Sequence, residues 1–472
     1  GQAAFCNRSA PPSPQGILPL HLRHEATELS FFFLAFSLAF AGGPDDELAA
    51  GMQAQRAGDT DRAMTHYRAC LQAAPEHVAC HWELGWSHWK RSEWSRVVEH
   101  WEAVERLDPK HAEVGDYLAQ ARAHLAGLER IKAGASDAPA SARAPVAKGR
   151  TLRLRAVGDI MLGTDFPGDG AYLPPEGGAQ ELAAVGDLLR DADITFGNLE
   201  GPLCDGGTTT KCGSGGNCYA FRTPTRYGTY FDEAGFDLLS TANNHAEDFG
   251  THCREMTEKT LDSLGIAHSG RPGDVASIEV DGAKVAMIGF HTSPNSHFVN
   301  DHDTAAKLVT ALAAGHDLVI VSFHGGAEGS KNLHVPDRME TFYGEQRGHL
   351  RKFARVVIDA GADIVLGHGP HVPRGLELID GHLVAYSLGN FATYGRFSLG
   401  GHLSTSLVLE AVLDHEGKLV RGQILPVRLE GEGVPAPDAE NTAIDLLRSL
   451  STEDFGERAP VIAQDGTFAP PS

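Results

Sequence analysis

The alternation of hydrophobic and polar positions divides the chain into two parts. Between residues 45 and 132, apolar residues recur at helical spacing, which predicts a run of amphipathic helices. After residue 150 the pattern changes to short β-rich apolar runs that alternate with amphipathic helical stretches, as is typical of an α/β domain. The segment 133–150 between them is rich in Ala, Pro and Ser, which predicts a linker.

The helical part repeats itself with a period of 34 residues. The positions that recur are Gly51 and Gly85, Ala63 and Val97, Tyr67 and Trp101, and Pro75 and Pro109. Small residues at a helix crossing, an aromatic knob and a proline after the second helix are the spacing of tetratricopeptide-like repeats. We therefore predict TPR-like helical repeats over 44–132, with a further helix over 111–131 as a cap. The repeats form either a partner-binding or spacer module, or a helical appendage without a ligand.

Seven strands are predicted after the linker. They are Leu152–Val157, Ile194–Gly197, Leu238–Thr241, Val285–Phe290, Leu318–Phe323, Ile364–Gly367 and Val384–Ser387. Beyond Val427 the pattern predicts a loop and one helix, Thr442–Ser449, before a Pro-rich end. We accordingly place the α/β domain at 151–430 and a C-terminal tail at 431–472.

An apolar stretch near the N-terminus predicts export. Residues 29–41 read LSFFFLAFSLAFA, which is too short to cross a bilayer core of ~30 Å comfortably. The stretch ends in Ala39-Phe40-Ala41, a pattern suited to signal-peptidase cleavage before Gly42. Residues 1–43 are therefore predicted to be a signal peptide or a disordered leader. An uncleaved membrane anchor and a buried helix are the alternatives, because acidic residues weaken the basic leader.

The cysteines bear on the compartment. Cys204, Cys212 and Cys218 lie in a Gly-rich loop, and Cys253 is a possible fourth partner. In an exported protein we expect disulfides here, and a zinc knuckle is the lesser alternative because no CxxC spacing is present. Cys70 and Cys80 lie in the helical part, where we expect them to be small buried hydrophobic residues.

Composition and charge exclude several classes of protein. Hydrophobic residues make up 42% and charged residues 22% of the 472 residues, which argues against a disordered, collagen-like or coiled-coil chain. A net charge of −22 would repel phosphate backbones, so a general nucleic-acid binder is excluded. The 24 histidines and 54 glycines suit an α/β enzyme with tight turns and metal-type ligands.

Polar residues follow five of the predicted strands. The segments are Gly158-Asp159, Asn198-Leu199-Glu200, Asn243-Asn244-His245, His324-Gly325-Gly326 and His368-Gly369-Pro370-His371. Each alone could be a turn, a helix cap or a buried histidine. Because the carboxyl ends of strands in an open α/β sheet line one crevice, together they predict a metal site. Oxygen and imidazole donors suit Mn²⁺, Fe²⁺, Zn²⁺ or Mg²⁺, and a bridging carboxylate is the usual way to hold two ions.

The order of these motifs resembles the CapA-type poly-γ-glutamate capsule-synthesis proteins of the calcineurin-like metallophosphoesterase superfamily. The motifs are GDIML, NLE, ANNH, HGGAE, GHGPHV and YSLGNF, and the resemblance covers about residues 151–430. It implies a four-layer α/β sandwich with a two-metal centre between strand ends. The helical repeats and the leader lie outside it.

The resemblance also implies residue roles. The implied metal ligands are Asp159, Glu200, Asn244, His324, His368 and His371, with Glu200 as the bridge. His245 would be the proton donor to a leaving group. Asn198, Asn243, Glu328 and Asn390 would contact the ligands or the substrate. Metallophosphoesterases in general have Asp-x-His at the first motif, but Met161 stands there, so one of the two ions would be held more loosely.

Three functions remain open at this point. The first is a metal-dependent hydrolase of phosphoester or amide bonds that acts in synthesis or export of a poly-γ-glutamate-type capsule polymer. The second is a non-catalytic accessory protein of a polymer export machinery, which docks a protein partner through its repeats. The third is a peptide or cyclic-dinucleotide esterase unrelated to capsule. The predicted location is the periplasm or cell surface, with membrane contact only through an uncleaved leader.

Overall fold

The computed structural model describes residues 43–91, 93–137, 151–168, 172–209, 211, 219–293 and 295–471. Apart from Gly43, the predicted leader lies outside the described residues, as do Cys212, Cys218 and the predicted linker beyond residue 137. None of the described helices is long and apolar enough to cross a membrane.

Eleven α-helices occur among the described residues. They are α1 (Pro44–Arg56), α2 (Thr60–Ala73), α3 (Val78–Trp89), α4 (Trp94–Leu107), α5 (Val114–Asp137), α6 (Gly186–Arg190), α7 (Thr229–Ala234), α8 (Gly250–Leu264), α9 (His302–Ala313), α10 (Leu350–Asp359) and α11 (Thr442–Phe455).

The same residues form nineteen strands. They are β1 (Leu152–Met161), β2 (Ile194–Leu199), β3 (Leu238–Ser240), β4 (Ala267–Ser269), β5 (Ala276–Val280), β6 (Ala283–His291), β7 (His297–Phe298), β8 (Leu318–His324), β9 (Glu340–Phe342), β10 (Glu345–Gly348), β11 (Ile364–His368), β12 (Leu376–Ile379), β13 (His382–Ala385), β14 (Asn390–Thr393), β15 (Thr405–Leu413), β16 (Leu419–Glu430), β17 (Val434–Pro437), β18 (Val461–Ile462) and β19 (Thr467–Ala469).

The N-terminal region, 44–131, is helical, and its first four helices pack as two pairs, α1 with α2 and α3 with α4. Helices α1 and α3 begin 34 residues apart, as do α2 and α4. A Cβ atom at Gly51 would lie 2.4 Å from the Tyr67 ring, and one at Gly85 would lie 2.1 Å from Trp101 Nε1. Each helix crossing is therefore closed by an aromatic side chain that only a glycine admits.

Two features of the helical region differ from the sequence prediction. A disulfide joins Cys70 to Cys80 and links α2 to α3, so the prediction of unlinked buried hydrophobic residues was wrong. Helix α5 also runs on to Asp137, into the segment predicted as linker. The residues gained are small ones such as Ala133 and Ala135, and alanine has the highest helix propensity.

The strands belong mainly to two sheets. One has the order β18-β19-β16-β15-β1-β2-β3-β4, with β14 paired to β1 and β17 paired to β16. The other has the order β12-β13-β11-β8-β6-β5, with β7 paired to β6, and β9 and β10 form a separate hairpin. All seven predicted strands are present, but three lie in the first sheet and four in the second. The strand ends that we assigned to one crevice therefore come from two sheets.

A buried apolar layer fills the space between the two sheets. Leu154 and Phe196 of the first sheet and Ile320 and Leu366 of the second belong to it. Helices α9 and α10 cover the outer face of the second sheet through residues such as Phe353. Helices α6, α7 and α8 cover the outer face of the first. The layers therefore run helix, sheet, sheet, helix.

The residues after 430, which we expected to be a tail with one helix, also form β17, β18 and β19 of the first sheet. Helix α11 extends to Phe455, and its Ile444 and Leu447 are buried in the layer between the sheets. Strand β17 contains Pro435 and Pro437, and prolines of this kind are confined to positions that need not donate to a ladder. These prolines hid the strand from the pattern.

Candidate metal centre

The ends of strands from both sheets bring polar side chains together. In the first sheet, the register places Asp159 of β1 beside Asn198 of β2 and Asn390 of β14. In the second sheet, the last residues of three neighbouring strands are all histidines in register: His291, His324 and His368. The two rows meet, because Asn198 Nδ2 lies 3.3 Å from His324 Nδ1.

Asp159 is a buried carboxylate surrounded by donors. Its Oδ1 accepts a hydrogen bond from Asn198 Nδ2 at 2.8 Å, and His368 Nδ1 lies 3.4 Å from the same oxygen. Its Oδ2 lies 3.0 Å from His371 Nδ1. Burial alone would raise the pKa of Asp159, but the imidazoles of His368 and His371 hold that pKa well below its usual value. Asp159 is therefore ionised.

Glu200 is fully buried, and neither of its carboxylate oxygens has a hydrogen-bond partner among the described residues. Its Oε1 lies 3.8 Å from His324 Nε2, 3.8 Å from His371 Nε2 and 3.9 Å from His245 Nε2. These distances are too long for hydrogen bonds, yet they suit atoms that share a cation. Burial raises the pKa of Glu200 well above its usual value. An unpaired buried carboxylate is costly, so this arrangement calls for a positive charge.

Further buried ligand atoms around Glu200 lack hydrogen-bond partners in the described part of the chain. They are His324 Nε2, both ring nitrogens of His368, Asn244 Oδ1 and Asn390 Oδ1. Asp159, Glu200 and His371 also offer ligand atoms that all lie within 4.8 Å of one another. Carboxylate, imidazole and amide donors are those of a divalent first-row metal or Mg²⁺. The residues present therefore fit a divalent cation.

His371 is held in a strained conformation. Its φ is 61°, in the left-handed region that a non-glycine residue rarely adopts, and it follows Gly369 at φ 106°. Burial opposes the charged imidazolium, but the carboxylates of Glu200 and Asp159 raise the pKa of His371 to about 10. Backbone strain of this kind persists where the surrounding structure fixes a functional side chain. Here it places an imidazole between two carboxylates.

His245 is oriented by Asp248. Its Nδ1 donates to Asp248 Oδ2 at 2.6 Å, and its backbone N–H donates to Asn243 Oδ1 at 3.0 Å. Asp248 also accepts hydrogen bonds from Phe221 N at 2.7 Å and Lys211 Nζ at 2.5 Å. Burial lowers the pKa of His245, and the Asp248 carboxylate opposes that shift. The ring is therefore fixed with its Nε2 toward Glu200.

The centre opens into a cavity of about 1210 Å³. Among the predicted site residues, Asn243, Asn244, His245, Glu328, His371 and Asn390 line it. Asn243 Nδ2 donates to Leu199 O at 2.9 Å, and Glu328 forms an ion pair with Arg347 at 3.0 Å. The structure thus brings every predicted site residue to one place. Their individual roles as ligands, proton donor or substrate contacts stay predictions.

Three residues of the site were missed by the sequence analysis. His291 ends β6, so the strand-end argument that found His324 would also have found it. Asp248 follows His245 at a spacing of three, which is a weak signal because acidic residues often lie near a helix start. Arg347 lies on β10 of the hairpin, and its sequence context gives no sign that it reaches the cavity.

Comparisons with known proteins agree with the site. Residues 153–394 match the family described as bacterial capsule synthesis protein PGA_cap. The chain is 25% identical over 314 residues to the PGA biosynthesis protein CapA of Bacillus subtilis (strain 168), which covers 61% of this chain and 77% of that protein. It is 26% identical over 302 residues to the capsule biosynthesis protein CapA of Bacillus anthracis, with coverage of 61% and 69%.

A solved structure of a purple acid phosphatase from yellow lupin (Lupinus luteus) seeds also matches. The TM-score is 0.31 at 11% identity, with 63% of this chain and 56% of that chain covered. A likeness this weak supports no conclusion about fold or activity.

Proposed function

The chain belongs to the bacterial capsule synthesis protein family PGA_cap, and from this premise we propose that it is a metal-dependent hydrolase of phosphoester or amide bonds. It would act in the synthesis or export of a poly-γ-glutamate-type capsule polymer. The observation that carries the proposal is Glu200, a buried carboxylate with three imidazole nitrogens 3.8–3.9 Å from one of its oxygens. The helix–sheet–sheet–helix layering and the strand-end position of the site support a metallophosphoesterase-like sandwich.

The proposed ligands of two divalent ions, Mn, Fe, Zn or Mg, are Asp159, Glu200, Asn244, His324, His368 and His371. Glu200 is the proposed bridge, since its carboxylate faces histidines from separate strand ends. A bound divalent cation supplies positive charge opposite the oxygen that becomes negative in the transition state. Asn198 supports this arrangement by donating to Asp159 and so orienting its carboxylate.

His245 is the proposed proton donor. Asp248 holds a proton on Nδ1, so Nε2 is the ring nitrogen that exchanges a proton with a leaving group in the cavity. Because burial lowers the pKa of His245, its imidazolium is a stronger acid than a solvent-exposed one. Asp248 in turn stabilises that imidazolium and keeps it oriented.

The proposal is tested with the full chain, stripped of metal and then reloaded with Mn²⁺. Hydrolysis of bis(p-nitrophenyl) phosphate and cleavage of poly-γ-glutamate are measured before and after reloading. We expect turnover that depends on Mn²⁺, a His245→Asn variant that retains Mn²⁺ but loses turnover, and a Glu200→Gln variant that loses both. Full Mn²⁺ occupancy without turnover of either substrate would remove the hydrolase and leave the accessory role.

A second candidate function has its own observation. The two helix pairs start 34 residues apart and close on Gly51 and Gly85, which supports tetratricopeptide-like repeats that bind a protein partner. In this role the chain is an accessory protein that positions the polymer at an export machinery. Site-specific crosslinks from α1 and α3 to a component of that machinery in producing cells would support it. Normal capsule export by a variant with reversed surface charges on α1 and α3 would argue against it.

Export to the periplasm or cell surface is part of the proposal. Disulfides join Cys70 to Cys80 and Cys204 to Cys253, and disulfides persist in oxidising compartments. The second of them confirms the predicted involvement of Cys253. Mass spectrometry of the protein from a producing cell, without reduction, tests whether both pairs form and whether residues 1–43 are retained.

A further inference from the structure

We propose that the mouth of the cavity is a binding site for an extended stretch of a γ-linked, carboxylate-bearing polyamide, and that the β9–β10 hairpin and Tyr219 form it. The inference rests on the proposed function, because it assigns the polymer to the same cavity. It goes further by naming residues away from the metal centre that hold the polymer.

The tip of the hairpin carries a residue that packing does not explain. Tyr343 and Gly344 connect β9 to β10, with φ values of 47° and 86°. Turns of two residues with positive φ favour Asn, Asp or Gly, and a tyrosine there costs about 1 kcal/mol. The Tyr343 side chain is 94% exposed, so it gains no burial in return. Contact with a ligand accounts for a bulky aromatic residue at this position.

The base of the hairpin is tied to the loops that carry the metal-centre histidines. Glu340 of β9 forms a buried ion pair with Arg374 at 3.0 Å, and Arg374 follows His371 closely in the chain. Arg347 of β10 donates through Nε to Gly326 O at 3.1 Å, directly after the His324 strand end. The tip therefore keeps a fixed position relative to the centre.

Aromatic and cationic side chains line the cavity together. Phe342, Tyr343 and Arg347 of the hairpin line it, as do Tyr219 and Arg396. The Arg396 guanidinium lies 5.5 Å from the Tyr219 ring centroid and 4.8 Å from that of Tyr172. Of four exposed large hydrophobic residues in the described part of the chain, Tyr219 and Tyr343 line this cavity, and Val420 and Val461 do not.

Size and charge favour a polymer segment of this chemistry. The volume of about 1210 Å³ exceeds the ~300–1,000 Å³ of ordinary small-molecule sites. The chain carries a net charge of −22, yet Lys211, Arg347 and Arg396 all line this cavity. Tyrosine faces pack on planar amides, and a guanidinium pairs with carboxylates. A neutral glycan has no negative groups for these cations to pair with.

The experiment measures binding of fluorescein-labelled poly-γ-glutamate to the full chain by fluorescence anisotropy. Tyr343→Asn and Tyr219→Ala are made singly and together, with Val420→Ala and Val461→Ala as matched controls. Asn is preferred in the turn, so Tyr343→Asn keeps the fold and its unfolding temperature should not fall. Mn²⁺ affinity, measured in parallel by calorimetry, reports whether the metal centre is intact.

We expect the double variant to raise the Kd for poly-γ-glutamate about 10- to 100-fold, as loss of central aromatic contacts does, with Mn²⁺ affinity unchanged. The valine controls should bind like the wild type. Wild-type binding that the double variant retains would overturn this inference and leave the proposed function standing. Absence of wild-type binding would overturn the polymer as ligand altogether. Binding of neutral dextran as tight as that of poly-γ-glutamate would overturn the assigned polymer class.

Discussion

Asp248 and His245 form a buried pair in which Nδ1 of the imidazole donates to a carboxylate oxygen at 2.6 Å. The opposite ring nitrogen lies 3.9 Å from Glu200 Oε1. One contact thus fixes the position of the proton and the direction of the ring. The pair links a group that orients an imidazole to the place where we expect the reaction to occur.

The first prediction concerns this pair. Asp248→Asn should lower kcat about 10- to 100-fold, because the amide no longer stabilises a charged imidazole, while the amount of bound Mn²⁺ stays the same. Steady-state kinetics and metal analysis check it, and the acidic limb of the pH–kcat profile should shift. Asp262→Asn is the matched control, since Asp262 pairs with His268 at 3.2 Å on the exposed side of α8. Equal activity losses in the two variants would contradict the assigned role of Asp248.

The second prediction concerns Glu200 without metal. Burial raises the pKa of this carboxyl, so its cost to the folded state grows as pH rises above the usual value. At pH 8 in EDTA, Glu200→Gln should therefore unfold at a higher temperature than the wild type. With Mn²⁺ the order should reverse, because only the wild type binds the ion tightly. Thermal unfolding with and without Mn²⁺ checks both signs, and a variant less stable in EDTA contradicts the account.

The third prediction concerns pH and His297. Gly273 N donates to Nε2 of His297 at 2.7 Å, and Nδ1 lies 2.9 Å from Gly289 O. Burial lowers the pKa of His297 to about 4, although the Gly289 carbonyl opposes that shift. The unfolded chain therefore binds a proton that the folded chain refuses, and stability falls with pH from about 6.5 to 4. This group should remove about 2 kcal/mol between pH 7 and pH 5.

Urea unfolding at pH 7 and pH 5 measures the effect of His297. The difference in unfolding free energy between the two pH values should shrink by about 2 kcal/mol in His297→Gln relative to the wild type. His415→Gln serves as a control, because His415 lies in the exposed turn between β15 and β16. A His297→Gln variant with the same pH dependence as the wild type would contradict the prediction.

The fourth prediction concerns the helix crossing at Gly85. Alanine has the better helix propensity, by about 1 kcal/mol, but its Cβ would lie 2.1 Å from Trp101 Nε1. Since Trp101 is fully buried, it cannot move aside cheaply, and Gly85→Ala should destabilise the helical region by about 1–3 kcal/mol. Gly115→Ala in α5 is the control, because its Cβ meets no atom within 4 Å. Equal stability of the two variants, measured by urea unfolding, would contradict the tight crossing.

The parts of the structure that the sequence predicts are those set by local pattern. Strands such as Leu318–His324 are continuous apolar runs, and the polar groups that follow them are adjacent in the chain, so both could be located. The 34-residue period likewise gave the helix starts.

The parts that it does not predict depend on distant partners. Leu154 of β1 pairs with Ala411 of β15, and no local pattern shows which strands share a sheet. Arg347 reaches the cavity only because the hairpin folds back onto Gly326. The disulfide between Cys70 and Cys80 depends on how α2 meets α3. Each of these contacts follows from the tertiary arrangement and carries no local signal.

The central claim is that Asp159, Glu200 and His371 hold a divalent cation. Its most direct test is a crystal of the full chain grown with Mn²⁺ and measured at the manganese absorption edge. The account predicts an anomalous peak within bonding distance of Glu200 Oε1, Asp159 Oδ2 and an imidazole nitrogen, and no such peak in Glu200→Gln. No anomalous peak beside Glu200 in wild-type crystals saturated with Mn²⁺ would contradict it.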